Sequence, residues 1–293
     1  MSGSRCVEVD EALLRAWKLP EADEDGDKER RGRVLVIAGS REMPGAAVLA
    51  ATAALRAGAG KLVIATPHSA AQSVAVAVPE ARVIALPEAE DGGPAADGVR
   101  VLQAIAGDTA ALLAGPGMIG GDSTQAFLRA LLPLFGAATV VLDALAMDAV
   151  LSAGRFAQPV VLTPHAGEMA HLTGAEKSDA QEEPQAMAQR YAARWNAVVA
   201  LKGPTTCVAA PDARVWRHSA HAPGLGTSGS GDVLAGIVAG LAARGATPEQ
   251  AAVWGVALHA RAGELLAGRT GVIGYLAREL AAEVPALMQA MAG

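Results

Sequence analysis

The sequence predicts an α/β fold with a mostly parallel central sheet between helical layers, in a single domain. Three observations carry this. Short, uninterrupted apolar runs recur along the chain, as expected of strands buried on both faces. Alanine-rich helical stretches separate them, and Gly, Pro or a lone polar residue closes each run.

Residues 1–33 are read as an N-terminal extension. Val9, Leu13, Leu14 and Trp17 give it a short amphipathic pattern, and Pro20 to Arg33 form a charged, solvated linker. The domain is assigned to residues 34–293. Val34 to Ala38 is the first strand, turned by Gly39-Ser40. Pro44 suits the first turn of a helix running from Gly45 to Ala57. Gly58-Ala59-Gly60 ends that helix and Lys61 to Ala65 is the next strand, a right-handed βαβ unit. Further strands are expected at Arg82–Leu86, Ala110–Ala114, Val140–Leu142, Val160–Leu162 and Ala197–Lys202. Cys207–Ala210 and Val215-Trp216 flank Pro211-Asp212 as a hairpin. Helices are expected at Asp232–Arg244, Pro248–Gly268 and about Ile273–Met291.

Composition narrows the class. Of 293 residues, 52% are hydrophobic but only 3% aromatic, so the core is aliphatic and closely layered. A net charge of −6 without a basic tract argues against nucleic acid as a partner. Apolar runs are too short to span a membrane, and the N-terminus lacks an apolar signal core, so a cytoplasmic location is expected. Cys6 and Cys207 form neither a disulfide framework nor a metal quartet.

The chemistry concentrates in Gly224 to Gly245, GLGTSGSGDVLAGIVAGLAARG. Gly224, Gly226, Gly229 and Gly231 crowd a turn that leads into a helix. Backbone amides there can converge on a phosphate, reinforced by the helix N-terminus. Asp232 is either a cap, worth about 0.5–2 kcal/mol, or a base. A cap needs one such residue, whereas a phosphate cradle needs several glycines, which favours the second reading. Gly224 to Gly229 also match GxGxxG, but no strand precedes them and they come late in the chain, so a dinucleotide fold is rejected. There is no P-loop: Leu62 follows Gly60-Lys61, and Leu55 stands where the first glycine belongs. No GxSxG elbow occurs either.

Ligands of open α/β sheets lie beyond the carboxyl ends of the strands. Those ends carry Gly39-Ser40, Gly115-Pro116-Gly117, Asp143, His165 and Lys202-Gly203. Asp143 is equally readable as a helix cap, and Lys202 as a surface lysine or a cation for phosphate. His165, Glu168 and His171 lack metal-ligand spacing, so His165 is read as a polar contact to a ligand. His68, His218, His221 and His259 carry no signal that assigns them a role.

Assembled, these segments resemble the ADP/ATP-dependent NAD(P)H-hydrate dehydratases of the ribokinase-like superfamily. The resemblance runs from about Arg33 to Leu287. It rests on VLVIAGSREMPGAAVLAATAALRAGAGKLVIATP, AGPG, VLDALA, LTPHAGEMAHLTG, ALKGPTT and the GSGD turn, in that order. It implies a ribokinase-like three-layer α/β/α domain that repairs hydrated nicotinamide cofactor. A nucleotide phosphorylates the ring hydroxyl of NAD(P)HX, and loss of phosphate restores NAD(P)H.

By this resemblance Asp232 is the catalytic base, and the amides of Gly229, Ser230 and Gly231 form the anion hole. Lys202, Gly203, Pro204, Thr205, Thr206 and Gly231 bind the nucleotide, ADP or ATP. Ala46, Gly117, His165 and Asp232 contact the substrate. Mg²⁺ is the implied metal, held mainly through the phosphates, with no protein side chain assigned to it. An aspartate of ordinary pKa, about 4, would be a weak base that takes the proton late.

Two departures stand out. His221 and Ala222 replace the Gly and Asn common before this turn, and Gly226 replaces an Ala. Some 33 residues precede Val34, too few for the epimerase domain that many bacterial relatives carry. Action on the S epimer alone is therefore expected, with a separate epimerase as functional partner. The resemblance also implies a homo-oligomer, commonly a tetramer. Two other readings share the glycine–Asp turn: a kinase of a small alcohol such as hydroxyethylthiazole or hydroxymethylpyrimidine, and a non-catalytic nucleotide-binding protein.

Overall fold

The structure, a computed structural model, describes residues 6–21 and 31–292, and ten strands form one sheet. In chain order these are β1 (Cys6–Glu8), β2 (Arg33–Ile37), β3 (Lys61–Pro67), β4 (Arg82–Leu86), β5 (Ala111–Ala114), β6 (Thr139–Leu142), β7 (Val160–Leu162), β8 (Val198–Leu201), β9 (Thr205–Ala209) and β10 (Val215–Ser219). Their spatial order is β1-β10-β9-β8-β7-β6-β5-β2-β3-β4. Pairing is parallel from β8 through to β4. The β9–β10 hairpin reverses direction beside β8, as Pro211-Asp212 predicts.

The continuous apolar runs are explained by layers on both faces. Along β2, Val34 and Val36 join one core while Leu35 and Ile37 join the other. The first core is closed by α1 (Glu11–Ala16), α2 (Pro44–Arg56), α3 (His68–Ala77) and the three C-terminal helices. The second is closed by α4 (Gln103–Ala106), α5 (Asp122–Leu131), α6 (Ala149–Ala153), α7 (Ala166–Thr173), α8 (Lys177–Glu182) and α9 (Pro184–Trp195). The C-terminal helices are α10 (Ser230–Ala243), α11 (Pro248–Arg269) and α12 (Ala277–Ala292).

Helix α10 is the element that positions the site. It is buried along nearly its whole length, between the sheet and α2, α11 and α12. A Cβ on Gly236 or Gly240 would run into the carbonyl of Ala50 or Ala54, so these glycines set the close approach of α10 to α2. The small-residue composition read from the sequence has this consequence: backbones approach closely, and α10 has little freedom to slide.

Several boundaries differ from expectation. Helix α10 starts at Ser230 rather than Asp232, and α12 starts at Ala277 rather than near Ile273. Strand β1 was not anticipated; it pairs with β10, with Cys6 opposite Val215. The N-terminal extension is docked along this edge. Trp17 stacks on Trp216 with ring centroids 5.4 Å apart, and the Trp17 carbonyl accepts from Trp254 Nε1 at 2.8 Å. The charged run falls mostly on residues 22–30, which lie outside the described residues.

Candidate active site

Parallel β5–β8 bring their carboxyl ends to one edge, and the N-terminus of α10 faces that edge. Asp143 follows β6, His165 lies beyond β7, and Lys202 follows β8; a parallel bridge pairs His165 with Lys202. Lys202 Nζ lies 3.2 Å from Asp143 Oδ1 and 3.7 Å from Glu168 Oε2. Asp143 Oδ1 also accepts from Thr163 Oγ1 at 2.7 Å. The capping and surface readings of these two residues are set aside. Asp143 makes no side-chain cap to the short helix after it, and Lys202 is no surface lysine, with its side chain only 20% exposed.

Asp232 sits in the first turn of α10, whose N-cap is Gly229 in the left-handed conformation, without a side-chain cap. The capping reading of Asp232 is therefore set aside. Its environment also corrects the expectation of an ordinary carboxylate. Burial, and then the negative charge of Asp143, push its pKa up to about 7, with Lys202 pulling the other way. Lys202 stays firmly protonated: burial opposes its charge, but Asp143, Glu168 and Asp232 outweigh that. The result is a carboxyl group that titrates near neutrality beside a fixed cation.

His165 does more than the sequence suggested. It caps α7: its Nδ1 accepts from the amides of Gly167 at 3.0 Å and Glu168 at 3.1 Å, while Glu168 Oε2 accepts from the His165 amide at 2.7 Å. A ring nitrogen that accepts carries no hydrogen, so a neutral His165 carries its proton on Nε2 as a donor.

A cavity of about 680 Å³ adjoins these groups. His165, Lys202, Gly203, Pro204, Thr206, Ser230 and Gly231 line it, together with Leu234, Val256 and the turn residues Ala222, Pro223, Leu225, Gly226 and Thr227. Its apolar wall beside a polar helix N-terminus suits a flat base carrying phosphates. Thr205 is the exception among the nucleotide-segment residues. It lines a neighbouring cavity of about 790 Å³, and its Oγ1 lies 3.0 Å from Ser219 Oγ. The amides of Gly229, Gly231 and Asp232 have no backbone acceptor among the described residues, whereas that of Ser230 already donates to the Thr227 carbonyl at 3.3 Å. The predicted three-amide hole is thus changed at Ser230.

Ala46 and Gly117 meet each other but do not line this cavity. Gly117 has φ +63, and a Cβ there would overlap that of Ala46. Leu49, one turn along α2 from Ala46, abuts Gly229, which links this pair to the helix that carries Asp232. Among the described residues, no group of three His, Cys, Asp or Glu side chains forms a metal cage. The Asp143 and Asp232 carboxylates are the hard oxygens at hand for a divalent ion carried on phosphates.

Sequence reasoning missed several lining residues. His218, His221 and His259 all line the cavity, and Ser230 Oγ lies 2.9 Å from His259 Nε2. The one signal that could have raised His259 is its place on a helix that follows the glycine turn, too weak to act on.

Residues 34–286 match the family model described as NAD(P)H-hydrate dehydratase. The chain is 47% identical to the ADP-dependent (S)-NAD(P)H-hydrate dehydratase of Xanthomonas campestris, over 98% of each chain. It is 38% identical to a bifunctional NAD(P)H-hydrate repair enzyme of Moorella thermoacetica, of which it spans 53%. The ADP/ATP-dependent NAD(P)H-hydrate dehydratase of Bacillus subtilis, co-crystallised with ATP and Mg²⁺, superposes with a TM-score of 0.83 at 31% identity, covering 98% of this chain and 99% of that one. A ribokinase-like superfamily protein of Enterococcus faecalis shares the fold, with a TM-score of 0.84 at 24% identity.

Proposed function

Since the chain belongs to the NAD(P)H-hydrate dehydratase family, we propose that its Asp232 site restores the S epimer of hydrated NAD(P)H at the expense of a nucleotide. The family's reaction needs a hydroxyl deprotonated as it attacks a phosphoryl group. The observation that carries the residue assignment is the elevated pKa of Asp232, about 7, at the mouth of a helix N-terminus.

In this reading Asp232 accepts the proton of the ring hydroxyl. The hydroxyl oxygen bonds to the terminal phosphorus of the nucleotide while the bridging P–O bond breaks. Transfer of this kind has a loose transition state, so positioning and charge stabilisation dominate. The amides at the start of α10 supply the stabilisation, and Lys202 adds a cation beside Gly231. Phosphate is a far better leaving group than hydroxide. The C–O bond then breaks, the ring loses a proton, and the dihydropyridine double bond is restored.

Lys202, Gly203, Pro204, Thr206 and Gly231 are assigned to the nucleotide, with Thr205 beside them on β9. Ala46, Gly117, His165 and Asp232 are assigned to the hydrated cofactor. His165 Nε2–H is the donor offered there. ADP is the donor nucleotide favoured by the Xanthomonas campestris relative's name. Mg²⁺ would be carried on the phosphates and would neutralise their charge, with the Asp143 and Asp232 carboxylates as the oxygens that could hold it. The R epimer requires an epimerase, which we take to be a separate functional partner. Self-association is part of the same proposal: Val272 and Ile273 are 61% and 75% exposed on one loop, an apolar surface suited to a second copy.

The hydroxyethylthiazole kinase of Pyrococcus horikoshii resembles this chain at 17% identity, a likeness of fold alone. The test is direct. Hydrated NADH, ADP and Mg²⁺ should yield NADH with the native protein and far less with Asp232→Asn; phosphorylated product that accumulates without NADH would instead mark a kinase.

A further inference from the structure

Ser230 opens α10 and is 4% exposed, yet its polar atoms are not idle. Its Oγ lies 2.9 Å from His259 Nε2, and its carbonyl oxygen lies 3.0 Å from the same nitrogen. His259 reaches across from the middle of α11, and both residues line the cavity assigned to the nucleotide.

The pair of contacts fixes the hydrogens. A carbonyl oxygen has no proton to give, so His259 Nε2 must carry one and donate it toward Ser230. That one N–H is shared between the carbonyl oxygen and Oγ, so Ser230 Oγ accepts a branch of it and its own hydroxyl proton is left for another acceptor. Burial pushes the pKa of His259 down to about 4, so the ring is a neutral donor at physiological pH. Meanwhile the Ser230 amide is engaged with the Thr227 carbonyl. What Ser230 can offer an anion at this helix N-terminus is its hydroxyl.

We propose that the Ser230 hydroxyl, aimed by His259, donates to the terminal phosphoryl group of the nucleotide, with His259 as a positioning residue that acts through Ser230. The proposal rests on the nucleotide assignment of this cavity. It does not depend on the hydrated cofactor being the acceptor.

The experiment is calorimetric titration of the native protein and four variants with ADP and with AMP, both with Mg²⁺. AMP keeps the base and ribose but lacks the transferable phosphoryl group. Ser230→Ala removes one oxygen with little change of shape. It should weaken ADP about 10-fold, the loss of one hydrogen bond to a charged group, and leave AMP unchanged. His259→Leu should reproduce that split. The double variant should be no weaker than either single one, because the two residues form one unit. His259→Gln keeps an N–H donor and should stay within about 3-fold of native.

Unchanged ADP affinity in Ser230→Ala overturns the proposal. So does an equal loss for AMP, or losses that multiply in the double variant. If His259→Leu does not fold, Ser230→Ala and His259→Gln still decide the matter. The readout is separate from turnover. A native protein that shows the ADP-over-AMP difference but leaves hydrated NADH untouched keeps this assignment and loses the dehydratase reading; the opposite pattern does the reverse.

Discussion

Lys202 Nζ and Asp143 Oδ1 meet at 3.2 Å across the ends of β8 and β6, and this pair sets the electrostatics in which Asp232 works. Asp143 raises the pKa of Asp232 and Lys202 lowers it, with burial the largest influence. The net effect places the base near neutrality. A carboxylate at its ordinary pKa would be protonated only well below physiological pH and would be the weaker base at the hydroxyl.

The first prediction concerns that base. Asp232→Asn should lower turnover by about 10²-fold or more, the usual effect of losing a positioned general base. Its stability should move the other way. The folded state binds the Asp232 proton more tightly than the unfolded chain does, so native stability declines as pH rises from about 4 through about 7. Asparagine removes this dependence. The variant should melt higher than native at pH 8 and lose that advantage at pH 4. Thermal denaturation at the two pH values checks it.

The pH profile is the second. In the free enzyme, kcat/KM should rise with pH through about 7 as Asp232 ionises. Asp143→Asn removes the neighbouring negative charge and should shift that inflection to lower pH. An inflection that stays in place would detach it from Asp232.

The third tests the ion pair itself. Lys202→Met leaves Asp143 buried with only Thr163 as a partner. It should destabilise the protein by about 1–3 kcal/mol and move the Asp232 inflection to higher pH. Chemical denaturation and the pH–rate profile read the two effects separately.

Much of this architecture was legible in the sequence, for a local reason. Strands buried on both faces read as unbroken apolar runs, and Val34–Ile37 alternates between two cores as such a run must. The glycine turn was legible because several small residues crowd together just before α10. What stayed hidden depends on partners remote in the chain. Strand β1 is three residues long and exists by pairing with β10. The pKa of Asp232 is set by burial and by Asp143, a strand end away. His165 caps a helix through a ring nitrogen, where Ser, Thr, Asp or Asn is the usual signal. His259 lies in an alanine-rich helix whose spacing gives no hint that it touches Ser230.

The fourth prediction separates substrate from nucleotide. Gly117→Ala puts a Cβ against Ala46 in a left-handed conformation that alanine adopts poorly. KM for the hydrated cofactor should rise about 10-fold or more, while ADP affinity by calorimetry stays near native. Parallel losses would show instead that the loop supports both sites.

Packing gives the fifth. Gly236→Ala forces α10 away from the Ala50 carbonyl and should destabilise by about 1–3 kcal/mol, the usual effect of overpacking. Turnover measured well below the melting temperature should fall as well, because α10 carries Asp232 and the amides proposed to hold the phosphoryl group.

The most direct measurement mixes the purified protein with hydrated NADH, Mg²⁺ and ADP, and follows the return of dihydronicotinamide absorbance. Recovery should depend on the nucleotide, stop near the fraction of the S epimer and resume when an epimerase is added. Absence of recovery with ADP and with ATP, from a protein that binds both, would contradict the assignment of Asp232 to this reaction.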